Sequence, residues 1–244
     1  MHLLSEKQTK MDKSIEFGHL SAALQLEPAF DLGDGTNTCP QYGLCAQTCI
    51  AMTGQNRFDV AKQARLRRTK MFRDHRNLFM TLLDADLITH ELRAWRMNLK
   101  PTARLNCLSD ISWEDIRHER GTNIFERHPD IQFLDYTKIL YRARLGIPNY
   151  HVVYSVNEKT NYRELRNLLV HGGNAAVVFN VKKGEPLPES FKVNGRLFPV
   201  YDGDTNDLIH LAPPGSIRGL RYKVAFSKRS HRALKPSKLF VLGQ

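Results

Sequence analysis

Apolar and polar positions along the chain form blocks that predict strands separated by helices. Residues 175–179 form an unbroken apolar run and residues 151–155 are rich in β-branched side chains, a pattern typical of buried strands. Further strands are predicted at 30–32, 102–106, 131–135, 198–201 and 217–220. Residues 57–98 contain neither Gly nor Pro and predict two helices. Other helices are predicted near 21–26 and over 113–128, 138–145 and 162–171.

This order of elements predicts a fold class. Strands that alternate with helices indicate βαβ units and a parallel sheet buried on both faces. Between about five and seven strands are too few for a complete eight-fold barrel. We therefore expect an α/β protein with a parallel-stranded partial (βα) barrel over residues 31–223, after a lead-in of residues 1–30 and before a basic extension of residues 224–244.

Composition narrows the class of protein. The chain has 244 residues, 41% hydrophobic and 25% charged, which is typical of a globular protein and excludes wholesale disorder. No apolar run approaches the ~20 residues of a membrane helix. The first twelve residues are polar and unlike a secretory signal, so a cytoplasmic protein is expected. The net charge of +11 favours an anionic partner such as nucleic acid or a nucleotide.

Basic residues are concentrated in two regions. One is the predicted helix after residue 57, where five basic side chains fall within a sector of roughly 140°, opposite Val60, Ala64 and Met71. These five are Lys62, Arg65, Lys70, Arg73 and Arg76. The other region, residues 218–238, has eight basic residues and no acid. The two regions predict a nucleic-acid surface; solvated surface charge is the alternative.

Three of the four cysteines lie within eleven residues, at Cys39, Cys45 and Cys49. Three thiolates at short spacing can hold an iron–sulfur cluster and leave one iron open to a ligand. Zinc is the chief rival, with Cys107 as a fourth ligand just past a predicted strand. A disulfide or simple buried thiols are the remaining interpretations.

Polar residues follow the predicted strands directly. In parallel α/β sheets, ligands bind at the carboxyl ends of the strands. The candidate binding residues at these ends are Asn106, Ser109, Asp110 and Ser155, and the candidate acid–base residues are Asp135, Tyr136 and Lys138. Helix capping is the alternative for Ser109 and Asp110, because Trp113 and Glu114 follow at capping-box distance.

Other sequence motifs exclude or limit further functions. Asp202, Asp204 and Asp207 could hold a divalent cation, but the segment lacks a full calcium-loop pattern and a polar turn is the better interpretation. The ten histidines form no zincin motif, and the chain has no Walker lysine loop and no G-x-S-x-G elbow. A zincin protease, a P-loop NTPase and a serine hydrolase are therefore disfavoured.

Several segments together resemble a known family. They are residues 36–49 with the cysteines, Arg104 to Ile111, Phe133 to Lys138, and Asp202 to Asp204. The chain thereby resembles the phage family called gene product 88 from about residue 31 to residue 222. The resemblance implies a phage or prophage origin, hence the host cytoplasm, and implies no reaction.

A broader similarity is to radical S-adenosylmethionine enzymes, whose partial barrel carries three cysteines in the loop after the first strand. It implies a [4Fe–4S] cluster on Cys39, Cys45 and Cys49, with S-adenosylmethionine at the open iron. The expected function is an iron–sulfur-dependent enzyme acting on a nucleotide or nucleic acid. The alternative is a non-catalytic module, stabilised by zinc or a cluster, that binds nucleic acid or a host complex.

Overall fold

The structure is a computed structural model that describes residues 2–6, 13–28, 36–118 and 121–223. It has the predicted α/β character. The strands are β1 (Leu4–Ser5), β2 (His19–Leu24), β3 (Lys100–Arg104), β4 (Gln132–Thr137), β5 (Tyr150–Ser155), β6 (Ala175–Phe179), β7 (Ser190–Val193), β8 (Arg196–Asp202) and β9 (Ile217–Arg221). The helices are α1 (Asp59–Asp74), α2 (Arg76–Arg96), α3 (Ile124–Arg127) and α4 (Tyr162–Val170). The predicted strand at 30–32 and the basic extension at 224–244 lie outside the described residues.

The nine strands form one mostly parallel sheet in the order β1-β2-β3-β4-β5-β6-β9-β8-β7. Parallel pairing begins with His19 opposite Lys100 between β2 and β3, and continues, for example, with Ala175 opposite Ile217 between β6 and β9. Strands β1 and β7 at the two ends pair antiparallel with their neighbours. Within the sheet, β2 to β6 therefore follow one another in chain order.

The chain divides into two compact units, and strands β4 and β5 contribute residues to both. Unit 1 comprises residues 1–40, 58–135 and 147–151; unit 2 comprises residues 41–57, 136–146 and 152–244. The core of unit 1 includes Phe79 and Trp113, whose ring centroids lie 5.2 Å and 5.4 Å from that of Phe72. In unit 2, the buried face of α4, with Leu165 and Leu168, packs in one core with apolar residues of β6 and β9.

Two predicted helices are wrong. Residues 21–24 belong to β2 and lie between β1 and β3, because pairing with these strands outweighs the helical preference of Ala and Leu. Over its described residues, 113–118 and 121–128, the other segment contains a 3₁₀ turn at Trp113–Asp115 and one turn of helix at Ile124–Arg127. Gly121 adopts a left-handed φ of 78°, and Asn123 caps a new helix, so the segment is not continuous.

The structure also contains an antiparallel hairpin of β7 and β8, of which only β8 is predicted. Asn194 and Gly195 connect the two strands with φ of 43° and 85°. Two consecutive left-handed residues are what a two-residue hairpin turn requires, and Asn-Gly is its strongest sequence signal. The predicted strand at 198–201 accordingly extends to Arg196–Asp202 and gains a partner.

No helix within the described ranges is long and apolar enough to cross a membrane.

Candidate functional site

Asn106 organises the loop that follows β3 in unit 1. Its side-chain oxygen accepts hydrogen bonds from the Ser109 hydroxyl at 2.9 Å, the Ile111 N–H at 2.9 Å and the Trp113 indole N–H at 3.1 Å. Its Nδ2 donates to the Ile111 carbonyl at 2.9 Å and to Asp135 Oδ2 at 3.3 Å. A buried amide with this many partners fixes the loop conformation. Asn106 and Ser109 thus stabilise the carboxyl end of β3.

Asp135 is completely buried in β4. Its carboxylate accepts from the Asn106 backbone N–H at 2.8 Å and from the Tyr150 hydroxyl at 3.2 Å. A buried carboxylate is tolerated where hydrogen bonds replace the water it has lost. Asp135 therefore fixes the loop after β3 through its hydrogen bonds with Asn106.

The first cysteine is attached to the same loop. The Cys39 thiol lies 3.3 Å from the Leu108 carbonyl oxygen, to which it donates. The Thr38 carbonyl accepts the Asp110 N–H at 2.7 Å, and the Thr38 hydroxyl donates to the Glu27 carbonyl at 2.7 Å. Asp110 is buried, and its backbone takes part in this attachment. Cys39 is thus held beside the residues that follow β3.

The other two cysteines of the loop lie on 3₁₀ turns in unit 2. Cys45 is within the turn Leu44–Thr48, and Cys49 connects it to the next turn, Ile50–Met52. The Leu44 N–H donates to Glu158 Oε1 at 2.9 Å. A Cβ at Gly43 would lie 1.9 Å from the same oxygen, so glycine allows this close approach. Glu158 follows β5, and the cysteine segment is therefore fixed at the carboxyl end of that strand.

A polar cavity of about 230 Å³ lies at the same end of unit 2. It includes two lysines, three carboxamides, a phenol and one carboxylate. The lining residues are Gln41, Lys138, Leu140, Tyr154, Asn157, Lys159, Asn161 and Glu164. Of the predicted acid–base residues, Lys138 lines this cavity. Its amines and carboxamides can bind the oxygens of a carboxylate or phosphate group.

The cavity wall is rigid on its β5 side. Asn157 Oδ1 accepts the Lys159 N–H at 2.8 Å, and its Nδ2 donates to the carbonyl of Ser155 at 3.1 Å. The Thr160 hydroxyl bridges the Asn157 N–H at 2.9 Å and the Tyr154 hydroxyl at 3.0 Å. Ser155, a predicted binding residue, contributes its backbone here. The loop after β5 is consequently preorganised around the cavity.

At the N-terminus of α4, the Asn161 side chain accepts the N–H groups of Arg163 at 3.0 Å and Glu164 at 3.3 Å. It is a capping residue as well as a cavity residue. Burial, with the nearby Tyr154, raises the pKa of the neighbouring Tyr162 above its usual value. The Tyr162 phenol therefore stays protonated over a wider pH range.

Each of the four cysteines is a partly exposed thiol. Within the residues that the structure describes, no three His, Cys, Asp or Glu side chains gather around one point that could hold a metal ion. The donor set still suits a metal in its chemistry, since partly exposed thiols can lose their proton and become ligands.

The acidic segment after β8 forms a polar turn, the favoured interpretation. Arg221 Nη1 lies 2.7 Å from Asp202 Oδ2 and 3.4 Å from Asp204 Oδ2. The Asp202 hydrogen bond and the nearby carboxylates raise the pKa of Arg221. An arginine between the two acids occupies the place that a cation would take.

The predicted basic surface over residues 62–76 is wrong for Arg65. Arg65 is buried and pairs with Glu27, while Val60, predicted to lie opposite, is 83% exposed. Arg73 pairs with Asp74 at 2.6 Å. The Arg76 guanidinium lies 3.8 Å above the Phe72 ring, and burial lowers its pKa. Of the other four predicted residues, Lys70, Arg73 and Arg76 are exposed and Lys62 is half-buried, so nucleic-acid binding by these four stays a prediction.

No pattern in the sequence predicts the charge cluster around the buried Asp84 carboxylate in unit 1. Asp84 of α2 accepts from Arg127 Nη2 at 2.5 Å and lies 2.9 Å from His128 Nε2. Burial alone would raise the pKa of the Asp84 carboxyl, but hydrogen bonds from Arg127 and His128 and the nearby His118 outweigh it and lower the pKa. Since 43 residues separate Asp84 from Arg127, only the fold brings them together.

The family model for gene product 88 matches residues 2–235, nearly the whole chain. No curated protein and no solved structure matches the chain. The match confirms the resemblance to this phage family, and the chain therefore belongs to the gene product 88 family.

Proposed function

We propose that this protein is an iron–sulfur enzyme that holds a [4Fe–4S] cluster through Cys39, Cys45 and Cys49. One observation carries the proposal. The segment with Cys45 and Cys49 is fixed to Glu158, at the carboxyl end of β5, where the polar cavity also lies. Catalytic groups of parallel α/β proteins are found at this end of the strands.

The chain connection supports the ligand set. Cys39 and Cys45 are six residues apart and Cys45 and Cys49 four, so the three thiolates are within reach of one small centre. Cys39 must give up its hydrogen bond to the Leu108 carbonyl when it loses its proton. When bound, such a cluster supplies an electron to a ligand at its open iron, and S-adenosylmethionine is the ligand we propose.

The cavity residues bind the polar part of the substrate in this proposal. Lys138 and Lys159 supply positive charge, and Asn157 is held by its neighbours in a fixed orientation. The two ammonium groups outnumber the one carboxylate of the lining, Glu164, and the remaining positive charge favours a carboxylate or a phosphate over a neutral ligand. With the net charge of +11, this chemistry supports a nucleotide or nucleic-acid substrate.

Tyr136 lies on β4, two residues before Lys138, and is half-buried. In the proposed reaction, Lys138 and Tyr136 are the groups able to hold or move a proton, whereas buried Asp135 positions the loop after β3. The order of β2 to β6 in the sheet follows the order in the chain. Barrels of βα units are built in this way, which supports the finer proposal of a radical S-adenosylmethionine-like partial barrel.

Anaerobic purification tests the cluster. We expect a brown protein with absorbance at about 400 nm and about four irons per chain. Cys45→Ser and Cys49→Ser should lose the iron, whereas the matched control Cys107→Ser should keep it. Full iron content in the Cys45→Ser variant would refute the ligand assignment.

The reaction is tested separately. With dithionite and S-adenosylmethionine, the reconstituted protein should release 5′-deoxyadenosine, and Lys138→Ala should keep the cluster while binding substrate more weakly. A protein that keeps its cluster but releases no 5′-deoxyadenosine would reject S-adenosylmethionine as the ligand and leave the cluster assignment standing. A colourless protein with stoichiometric zinc would instead support the non-catalytic alternative, a zinc-stabilised nucleic-acid-binding module.

A further inference from the structure

Helix α2 carries an apolar stripe on its exposed face. Trp95 is 75% exposed, Leu78 51%, Ile88 50% and Leu92 46%. Thr81 and Ala85, also exposed, complete the stripe between them. Exposed apolar patches of this kind mark interaction surfaces.

The stripe has the spacing of a coiled coil. Successive members are separated by three, four, three, four and three residues: Leu78, Thr81, Ala85, Ile88, Leu92 and Trp95. This is the alternation of a and d positions over nearly three heptads. A different face of α2, with Phe79, Leu83 and Leu87, is buried in unit 1, so the stripe lies outside that part of the core.

We propose that α2 pairs in parallel with α2 of a second copy of this chain, forming a two-fold homodimer along this stripe. In that arrangement a g residue of one helix faces the e residue five positions later in its partner. Glu91 occupies such a g position and Arg96 the e position five residues on. The symmetric pair therefore gains two Glu91–Arg96 contacts between copies.

An antiparallel pair fits the charges less well. It would bring g positions together, and these are Asn77, Glu91 and Asp84, which is already buried against Arg127, so Glu91 would gain no opposite charge from the partner. The parallel pair also stacks Trp95 of one copy against Trp95 of the other. Since α2 is already folded against unit 1, dimerisation does not lose the conformational entropy of ordering the helix.

Oligomeric state and fluorescence test the proposal together. Sedimentation and light scattering should give a dimer at micromolar concentration. The chain has two tryptophans, and Trp113 is fully buried, so dilution should shift the emission of Trp95 alone to the red. A monomer at all concentrations up to about 100 µM, far above the range of specific interfaces, would overturn the proposal.

Variants test the register. Ile88→Lys should weaken the dimer by at least ~100-fold, because it buries two like charges at the seam. The control Val60→Lys, at an exposed position of α1, should leave the dimer and the thermal unfolding unchanged. Glu91→Arg should weaken the dimer by about tenfold, and the double variant Glu91→Arg/Arg96→Glu should restore it. Failure of the double variant to recover would reject the parallel register. A dimer insensitive to Ile88→Lys would reject the stripe.

Discussion

Arg65 Nε lies 2.6 Å from Glu27 Oε2, and both side chains are almost completely buried. The pair joins α1 to the segment after β2, where the Glu27 N–H also donates to the Thr69 hydroxyl at 2.8 Å. An arginine predicted from its helical position to bind an external anion is therefore used inside the protein. The Glu27 carboxylate compensates the positive charge of Arg65 within the folded protein.

Removal of Arg65 should destabilise unit 1 strongly. Arg65→Met leaves the Glu27 carboxylate buried without its cation, and we expect a loss of about 3–5 kcal/mol in the free energy of unfolding. Urea denaturation measures it. The exposed control Arg67→Met should change stability little, and Glu27→Leu/Arg65→Met should recover much of the loss. Equal stability of Arg65→Met and Arg67→Met would contradict the buried pair.

Asp84 should make stability dependent on pH. Its pKa in the folded protein is below the ordinary value of 3.8, so its contribution is present above that value and lost as the pH falls through the lowered pKa. Asp84→Asn should cost about 1–3 kcal/mol at neutral pH, and the difference from the native chain should shrink below about pH 4. Thermal unfolding between pH 3 and 7 measures this, with exposed Asp130→Asn as the control. A difference that is the same at every pH would exclude an electrostatic origin.

Asn106 should control the environment of Trp113. Asn106→Ala removes the acceptor of the Trp113 indole N–H and of two further donors, at an expected cost of about 2–4 kcal/mol. Near-ultraviolet circular dichroism should lose part of the tryptophan signal. Asn167→Ala, on the exposed face of α4, serves as the control. An unchanged Trp113 signal would show that the loop does not depend on Asn106.

Gly43 should be required for the position of the cysteine segment. A Cβ at this position would lie 1.9 Å from Glu158 Oε1, so it would displace the carboxylate that accepts the Leu44 N–H. Gly43→Ala should raise amide hydrogen exchange over residues 41–52. Adding Glu158→Ala removes the clash, and the double variant should then behave as Glu158→Ala alone. Normal exchange in Gly43→Ala would disprove the contact.

Anion affinity should depend on the cavity lysines. Lys138→Ala and Lys159→Ala should each weaken pyrophosphate binding by about tenfold, because each removes one charge-assisted contact. Calorimetry measures the dissociation constant, and the exposed Lys192→Ala of β7 is the control. A similar loss in all three variants would indicate general charge attraction instead of a site.

Sequence patterns predicted the elements whose preferences are local. The apolar run of β6 and the Gly-free pair α1 and α2 correspond closely to the structure, since periodicity and composition alone determine them. Strand β2 was predicted as helix because its partner β3 lies 81 residues away in register. The hairpin at Asn194-Gly195 carried a local signal that would have predicted β7.

The candidate site residues also divide into those with a local sequence signal and those that depend on long-range contacts. Lys138, which was selected from its position after a strand, lines the cavity, and its role as an acid–base residue stays a prediction. The same argument could not distinguish Lys138 from Asp135 and Asn106, because their burial depends on contacts with Tyr150 and Trp113. The position of Arg65 on the predicted helix indicated that it faces solvent. Its ion pair with Glu27 instead places it inside unit 1.

The attachment of Thr38 and Cys39 to the Leu108 carbonyl and the Asp110 amide couples two segments mechanically. A molecule that displaces the turn behind β3 must also release the thiol at position 39 and change its reactivity. Alkylation kinetics of that sulfur would then report occupancy of the neighbouring turn, even where the bound molecule never touches the cysteine.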